Sequence, residues 1–166
     1  YKRQGQFTRP AGQIYSDMDE SVHIITPFEV PNHWPVIVGV DFGAVNTATV
    51  WLARDPTSGY YHLFQESLEG DMSTKGHTRK AKERAGKFRD ITWYGGAGSE
   101  DQFRMDWQAE GVNVKKPPVG DVEAGINRVI ELLKTDRLFI HRSCEKTISQ
   151  LMEYSRKIDA IGQVTE

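Results

Sequence analysis

The apolar positions of the chain sharpen at Val36. Val36-Ile37-Val38-Gly39-Val40 is unbroken, the pattern of a central strand covered on both faces, and it ends in Asp41-Phe42-Gly43. After a short turn, Thr47 to Ala53 is rich in β-formers, Asp55-Pro56-Thr57-Ser58-Gly59 is a turn, and Tyr60 to Glu66 is a further strand. Strands joined by such short turns form an antiparallel meander. Residues 1–35 carry Pro10, Pro27, Pro31 and Pro35 and predict an extended lead-in with one short strand near Val22–Ile25. Beyond the meander, Gly70 to Gly76 is expected to be a loop and Thr78 to Phe88 a charged helix weakened by Gly86. Ile91 to Tyr94 is a short strand that stops at Gly95-Gly96-Ala97-Gly98, a flexible loop. Ser99 is the expected N-cap of a helix that runs to Glu110 and stops at Gly111, with Glu100 and Asp101 in its first turn. Val112 to Val114 is a strand. Asp121 caps a helix whose stripe is Val122, Ile126, Val129, Ile130 and Leu133. Leu138 to Ile140 is a small strand, and Ser143 to about Ser155 a last helix.

Antiparallel strands followed by alternating helices and strands give a mixed α/β sheet with helices on both faces. This order is similar to that of ribonuclease H-like folds. At 166 residues the chain has the size of one domain, here an extended lead-in over 1–35 packed on a domain spanning 36–166. Hydrophobic residues at 38% and charged residues at 27% are ordinary for a globular protein. The lone Cys144 excludes an internal disulfide framework and a four-cysteine zinc site. No apolar run approaches the ~20 residues that span a bilayer. The opening Tyr1-Lys2-Arg3-Gln4-Gly5-Gln6 has no apolar signal-peptide region, and a chain that opens on tyrosine reads as a piece of something longer. A net charge of −2 argues against a dedicated nucleic-acid-binding module, but not against an enzyme that holds a metal with clustered acids.

Asp41, at the end of an apolar strand, is either an Asx-turn residue bonded to the following backbone or a carboxylate offset by a cation. Glu100 and Asp101 are either helix-start acids beside the dipole or members of a carboxylate group. In a mixed sheet, the strand before them lies parallel to the Asp41 strand and next to it, so both ends share one edge, where open α/β sheets place sites. Oxygen ligands of this kind suit Mg2+ or Mn2+, and two such ions ~3.5–4 Å apart can drive phosphodiester hydrolysis without a serine or cysteine nucleophile. Arg79, Lys80, Lys82, Arg84, Lys87 and Arg89 share one stretch with the single acid Glu83. They fit a DNA backbone, a solvated helix face, or a contact with another domain. His23, His33, His62, His77 and His141 have no metal-ligand spacing, no phosphate-binding Gly-x-x-x-x-Gly-Lys-Ser/Thr motif occurs, and Trp34, Trp51, Trp93 and Trp107 read as core rather than base-stacking platforms.

A set of stretches in order resembles one family. These are Gly12-Gln13-Ile14-Tyr15, Pro27-Phe28-Glu29-Val30-Pro31 with Trp34, Val38-Gly39-Val40-Asp41-Phe42-Gly43 with Asn46, and Trp93-Tyr94-Gly95-Gly96. They continue with Ser99-Glu100-Asp101-Gln102, Gly111, Pro117-Pro118, Asp121-Val122-Glu123, Gly125-Ile126 and Tyr154-Ser155-Arg156-Lys157. Over nearly its whole length the chain resembles the C-terminal nuclease domain of tailed-bacteriophage terminase large subunits. The resemblance implies a ribonuclease H-like fold and a site of three acids holding Mg2+ or Mn2+, two ions expected. It also implies endonuclease action on concatemeric double-stranded DNA in the host cytoplasm. Asp41 matches the first acid. The second usually ends the fourth strand, where this chain has Gly95-Gly96, so that role falls to Glu100 or Asp101, with Glu100 favoured. The third usually follows the Tyr154-Ser155-Arg156-Lys157 region on a helix past Thr165-Glu166; Asp159, in a turn-like stretch, is a poor substitute. Implied partners are an ATPase domain of the same polypeptide, the portal and the small terminase subunit, with no membrane. Two other readings stay open: a non-catalytic assembly or DNA-binding domain on the same scaffold, and an actin-like or sugar-kinase-like ATPase fragment built on Gly39-Val40-Asp41-Phe42-Gly43.

Overall fold

In strand β2 (Val36–Asp41) burial alternates strictly: Val36, Val38 and Val40 are buried, while Ile37 and Asp41 are exposed. The strand is therefore packed hard on one face only, which the continuous apolar run did not reveal. The computed structural model describes residues 12–43, 45–118 and 122–155. Its other elements are α1 (Glu20–His23), β1 (Ile24–Ile25), β3 (Asn46–Arg54), β4 (Tyr61–Gly70), α2 (Thr74–Ala85), β5 (Ile91–Gly95), α3 (Asp101–Ala109), β6 (Val114–Lys115), α4 (Val122–Lys134), β7 (Leu138–His141) and α5 (Glu145–Glu153).

The strands form one sheet in the order β1-β7-β4-β3-β2-β5-β6. β2, β3 and β4 are the expected antiparallel meander, and β5 joins β2 in parallel, also as expected. β6 pairs parallel with β5, and β7 extends the other side by pairing parallel with β4 and β1. The sheet is mixed and carries helices on both faces. On one face Val36, Val38, Val40, Trp51 and Ala53 pack against Ala81 of α2 and Trp107 of α3. On the other, Leu63, Leu138 and Ile140 pack against Ile126 and Leu133 of α4 and Ile148 and Met152 of α5. The lead-in feeds both cores, with Tyr15, Met18 and Ile24 in the second and Val30 in the first.

Several expected boundaries move, each for a local reason. The short strand near Val22–Ile25 is only Ile24–Ile25, because Asp19 accepts the Ser21 N–H at 3.0 Å and starts the turn of α1. His23 is a structural residue there: its Nδ1 accepts the Asp19 N–H, and its Nε2 donates to the Leu133 carbonyl and Asp136, each at 2.9 Å. β4 continues to Gly70 because its ladder with β3 does, through Thr47↔Glu69 and Asn46↔Gly70. α2 begins at Thr74, inside the expected loop, because Ser73 Oγ accepts the Gly76 N–H at 3.1 Å. α3 is preceded by Glu100 rather than Ser99 at the N-cap position. Ser155 lies outside α5, in a bridge to Gln13. The expected cap Asp121 lies outside the described residues.

The N-terminus of α5 has no side-chain cap of its own. Glu66 of β4 takes that role from 80 residues away: its carboxylate accepts the Lys146 N–H at 3.0 Å, the Thr147 N–H at 2.8 Å and the Thr147 hydroxyl at 2.7 Å. A carboxylate facing free N–H groups at the positive end of a helix is a charge-assisted cap. We expect Glu66→Ala to cost about 1–2 kcal/mol, and Glu66→Gln less, measured by urea unfolding.

Candidate functional site

Asp41 closes β2, and its neighbour on β5 is set by the register Val40↔Gly95. The ends of β2 and β5 therefore share one edge of the sheet. The approach is close: a Cβ on Gly95 would collide with the Val40 carbonyl, so only glycine fits there. Alternation along β2 puts Asp41 on the side of Ile37 and Gly39, the face that carries α4 and α5. Asp41 is exposed and, among the described residues, holds no side-chain hydrogen bond or ion pair.

The loop that leaves β5 is braced rather than flexible. Gly96 adopts φ +85°. Arg104, in the first turn of α3, donates to the Gly95 carbonyl at 2.8 Å, to the Ala97 carbonyl at 3.0 Å and to Asp101 at 2.6 Å. Its side chain is only 8% exposed, so a guanidinium buried under the loop is satisfied by two carbonyls and one carboxylate. Glu100 folds back, and its Oε1 accepts the Ala97 N–H at 2.7 Å. The Arg104 hydrogen bond, with Lys116 nearby, holds the Asp101 carboxyl below its usual range.

The three predicted acids thus share an edge without forming a cluster. Asp41 faces one side of the sheet; Asp101 is tied to Arg104 of α3, which packs on the other side; Glu100 clamps the loop between them. Among the described residues no group of three or more His, Cys, Asp or Glu is placed to hold a metal ion. Asp41 fits as one donor. Glu100 is committed to a single exposed hydrogen bond and Asp101 to a charged one, so Glu100 is the easier to free. Residues 156–166, Asp159 included, lie outside the described residues.

The basic stretch is divided in its roles. Lys80 and Arg84 pair with Glu69 of β4 at 3.7 and 2.5 Å, Lys82 donates to the Glu110 carbonyl at 2.6 Å, and Lys87 meets Glu29 of the lead-in at 3.3 Å. These contacts brace α2 against its surroundings. Arg79 and Arg89 have no such ion pair among the described residues. Lys75, in a stretch expected to be a loop, stands one turn before Arg79 on α2, and the two share a surface cavity of about 360 Å³ with Ser73 and Gly76. The serine cap at Ser73 was the signal for it; Gly76 hid it by resembling a helix breaker. The burial of Cys144 pushes its thiol up to about 11, so it is no nucleophile.

The same arrangement recurs in solved structures. The nuclease domain of the P22 large terminase superimposes with a TM-score of 0.73 at 22% identity, covering 96% of this chain and 86% of that one. The fold is that of a large-terminase nuclease domain. A whole large terminase from a thermophilic bacteriophage gives a TM-score of 0.75 at 17% identity over 92% of this chain, which spans 39% of that protein. The large terminase nuclease of the thermophilic phage G20c, in a crystal structure with bound magnesium, gives 0.66 at 16% identity, covering 94% and 87%. No family model matches the sequence, and no curated protein does. The ribonuclease H-like expectation is borne out by this likeness, which at such identities concerns the fold.

The Glu69 cluster has a pH signature. The Arg84 hydrogen bond, aided by Lys80, holds the Glu69 carboxyl below its ordinary 4.5. A depressed carboxyl stabilises the fold at neutral pH, and that contribution is lost as pH falls through the depressed value. Urea midpoints of wild type and Glu69→Gln are expected to differ most near about pH 6 and to converge by about pH 3; a gap that is constant with pH contradicts the ion-pair account.

Proposed function

We propose that this chain is the metal-dependent endonuclease domain of a phage DNA-packaging terminase, cutting concatemeric double-stranded DNA. The observation that carries the reading is an exposed carboxylate, Asp41, at the end of a central strand whose parallel neighbour ends beside it in a braced loop. The fold shared with the P22 and G20c nuclease domains, the latter crystallised with magnesium and with cobalt, supports it.

In this reading Asp41 is one metal-holding acid and Glu100 the second, released from the Ala97 N–H, while Asp101 stays with Arg104. The remaining donor comes from beyond Ser155. A bound Mg2+ or Mn2+ pair would lower the pKa of a water and stabilise the leaving oxygen of the phosphodiester. Arg104 keeps the loop in place, and Lys75, Arg79 and Arg89 are the cations left to meet phosphates. Lys80, Lys82, Arg84 and Lys87 act by holding α2. An ATPase domain in the same polypeptide, the portal, the small terminase subunit and the host cytoplasm belong to the same proposal. The whole large terminase compared above, crystallised also with ADP and with ATP-γ-S, extends well beyond the part this chain matches. No described helix is long and apolar enough to cross a membrane.

The commitment of Glu100 and Asp101 to the loop favours a second reading, a non-catalytic assembly or DNA-binding domain on the same scaffold. Nicking of supercoiled plasmid in Mn2+ or Mg2+ separates the two. We expect wild type to nick and Asp41→Asn to lose more than about a hundredfold, beyond the 10–100-fold typical of outer-sphere partners. Equal nicking by the variant removes Asp41 from the site, and no nicking by wild type leaves the scaffold reading.

A further inference from the structure

At the same sheet edge, on the side of α2 and α3, lies a cavity of about 170 Å³ walled largely by rings: Phe42, Phe103, Trp107 and His77, with Met72 and Thr74 beside them. Phe42 and Phe103 lie face to face, centroids 5.3 Å apart and planes at 11°. Phe42 stands edge-on to Trp107 at 5.4 Å, and His77 lies nearly parallel to Trp107 at 6.5 Å and 17°. Trp107 is buried, as expected of a core tryptophan, but Phe103 is 40% exposed at the lip. An aromatic ring left open on a helix surface marks a contact surface more often than a polar residue there would. The cavity is well below the ~300 Å³ of a site for drug-sized ligands and suits one flat ring. Burial pushes the His77 imidazole below its usual value, so at neutral pH it offers one donor and one acceptor rather than a charge.

The opposite side of the same turns of α2 carries Lys75 and Arg79, which line the neighbouring surface cavity and have no ion pair among the described residues. Thr74 and His77 face the aromatic slot. An aromatic slot beside free cations is the combination that single-stranded nucleic acid needs: rings stack on the base and cations follow the backbone. We propose that the slot receives one nucleobase turned out of the DNA strand beside the bond to be cut, with Lys75 and Arg79 on the flanking phosphates. Phe42 follows Asp41 directly in the chain, so a base held there fixes the register of the strand at the Asp41 edge. The inference rests on the reading of the chain as a DNA-cutting domain.

The test compares two labelled single strands of about a dozen nucleotides, one of deoxythymidylates and one fully abasic, by fluorescence anisotropy at fixed salt. The two carry equal phosphate charge and differ in their bases. Wild type is expected to prefer the thymidylate strand by about tenfold, Phe103→Ala to bring both to the abasic level, and Phe103→Trp to keep the preference. Lys75→Gln combined with Arg79→Gln is expected to weaken both strands alike and flatten the salt dependence. Equal binding of the two strands by wild type, or a preference that survives Phe103→Ala, overturns the slot. If duplex DNA is still bound and nicked in that case, the nuclease reading stands alone; if no DNA of any form binds, both readings fall.

Discussion

Gly95 lies against the Val40 carbonyl at a separation that leaves no room for a side chain. That contact is the end of the parallel β2–β5 ladder, and the site geometry follows from it. It brings the exit of β5 to the exit of β2, so the loop 95–100 emerges beside Asp41. A larger residue at 95 would push the strands apart where the candidate chemistry sits. The antiparallel meander holds β2 from its other side, through Asp41↔Ala48. Asp41 thus ends a strand paired on both sides, a rigid platform for a group whose position matters.

The charges around this platform fall into two classes. One class is spent on structure: Arg104 under the loop, Glu100 across it, Glu66 on the end of α5, and Glu69 with Arg84 and Lys80 on α2. The other has no ion pair among the described residues: Asp41, Lys75, Arg79 and Arg89. A surface rich in both signs looks uniform in composition, and only the contacts separate braces from groups able to meet a ligand. Exposed pairs such as Lys87 with Glu29 add little stability, so their value is in orientation.

Much of the fold could be read from local pattern. Val36 to Val40, the Asp55–Gly59 turn and the apolar stripe of α4 are strong local signals, and the parallel neighbour of β2 follows from the rules of mixed sheets. Boundaries were legible only where a cap or ladder stays local. Gly76 inside α2 concealed that helix's first turn, and the run of β4 to Gly70 depends on its partner β3. The site was legible to the level of an edge. That Glu100 and Asp101 face Ala97 and Arg104 rather than Asp41 depends on a buried guanidinium that no spacing rule announces. Glu66 reaching α5 across 80 residues is likewise a tertiary fact. Lys75 and Phe103 were missed because one sat in an expected loop and the other looked like an ordinary helix residue.

The proposed chemistry requires a divalent ion to lodge at the shared end of β2 and β5. The most direct measurement is the broadening of backbone amide signals by sub-stoichiometric Mn2+ in 15N-labelled protein. The steepest loss is expected at Asp41, Phe42 and the loop from Gly95 to Asp101, with α4 and the β1–β7 side of the sheet unaffected. Broadening centred elsewhere, or none at all where Mn2+ supports nicking, would contradict an ion at that edge.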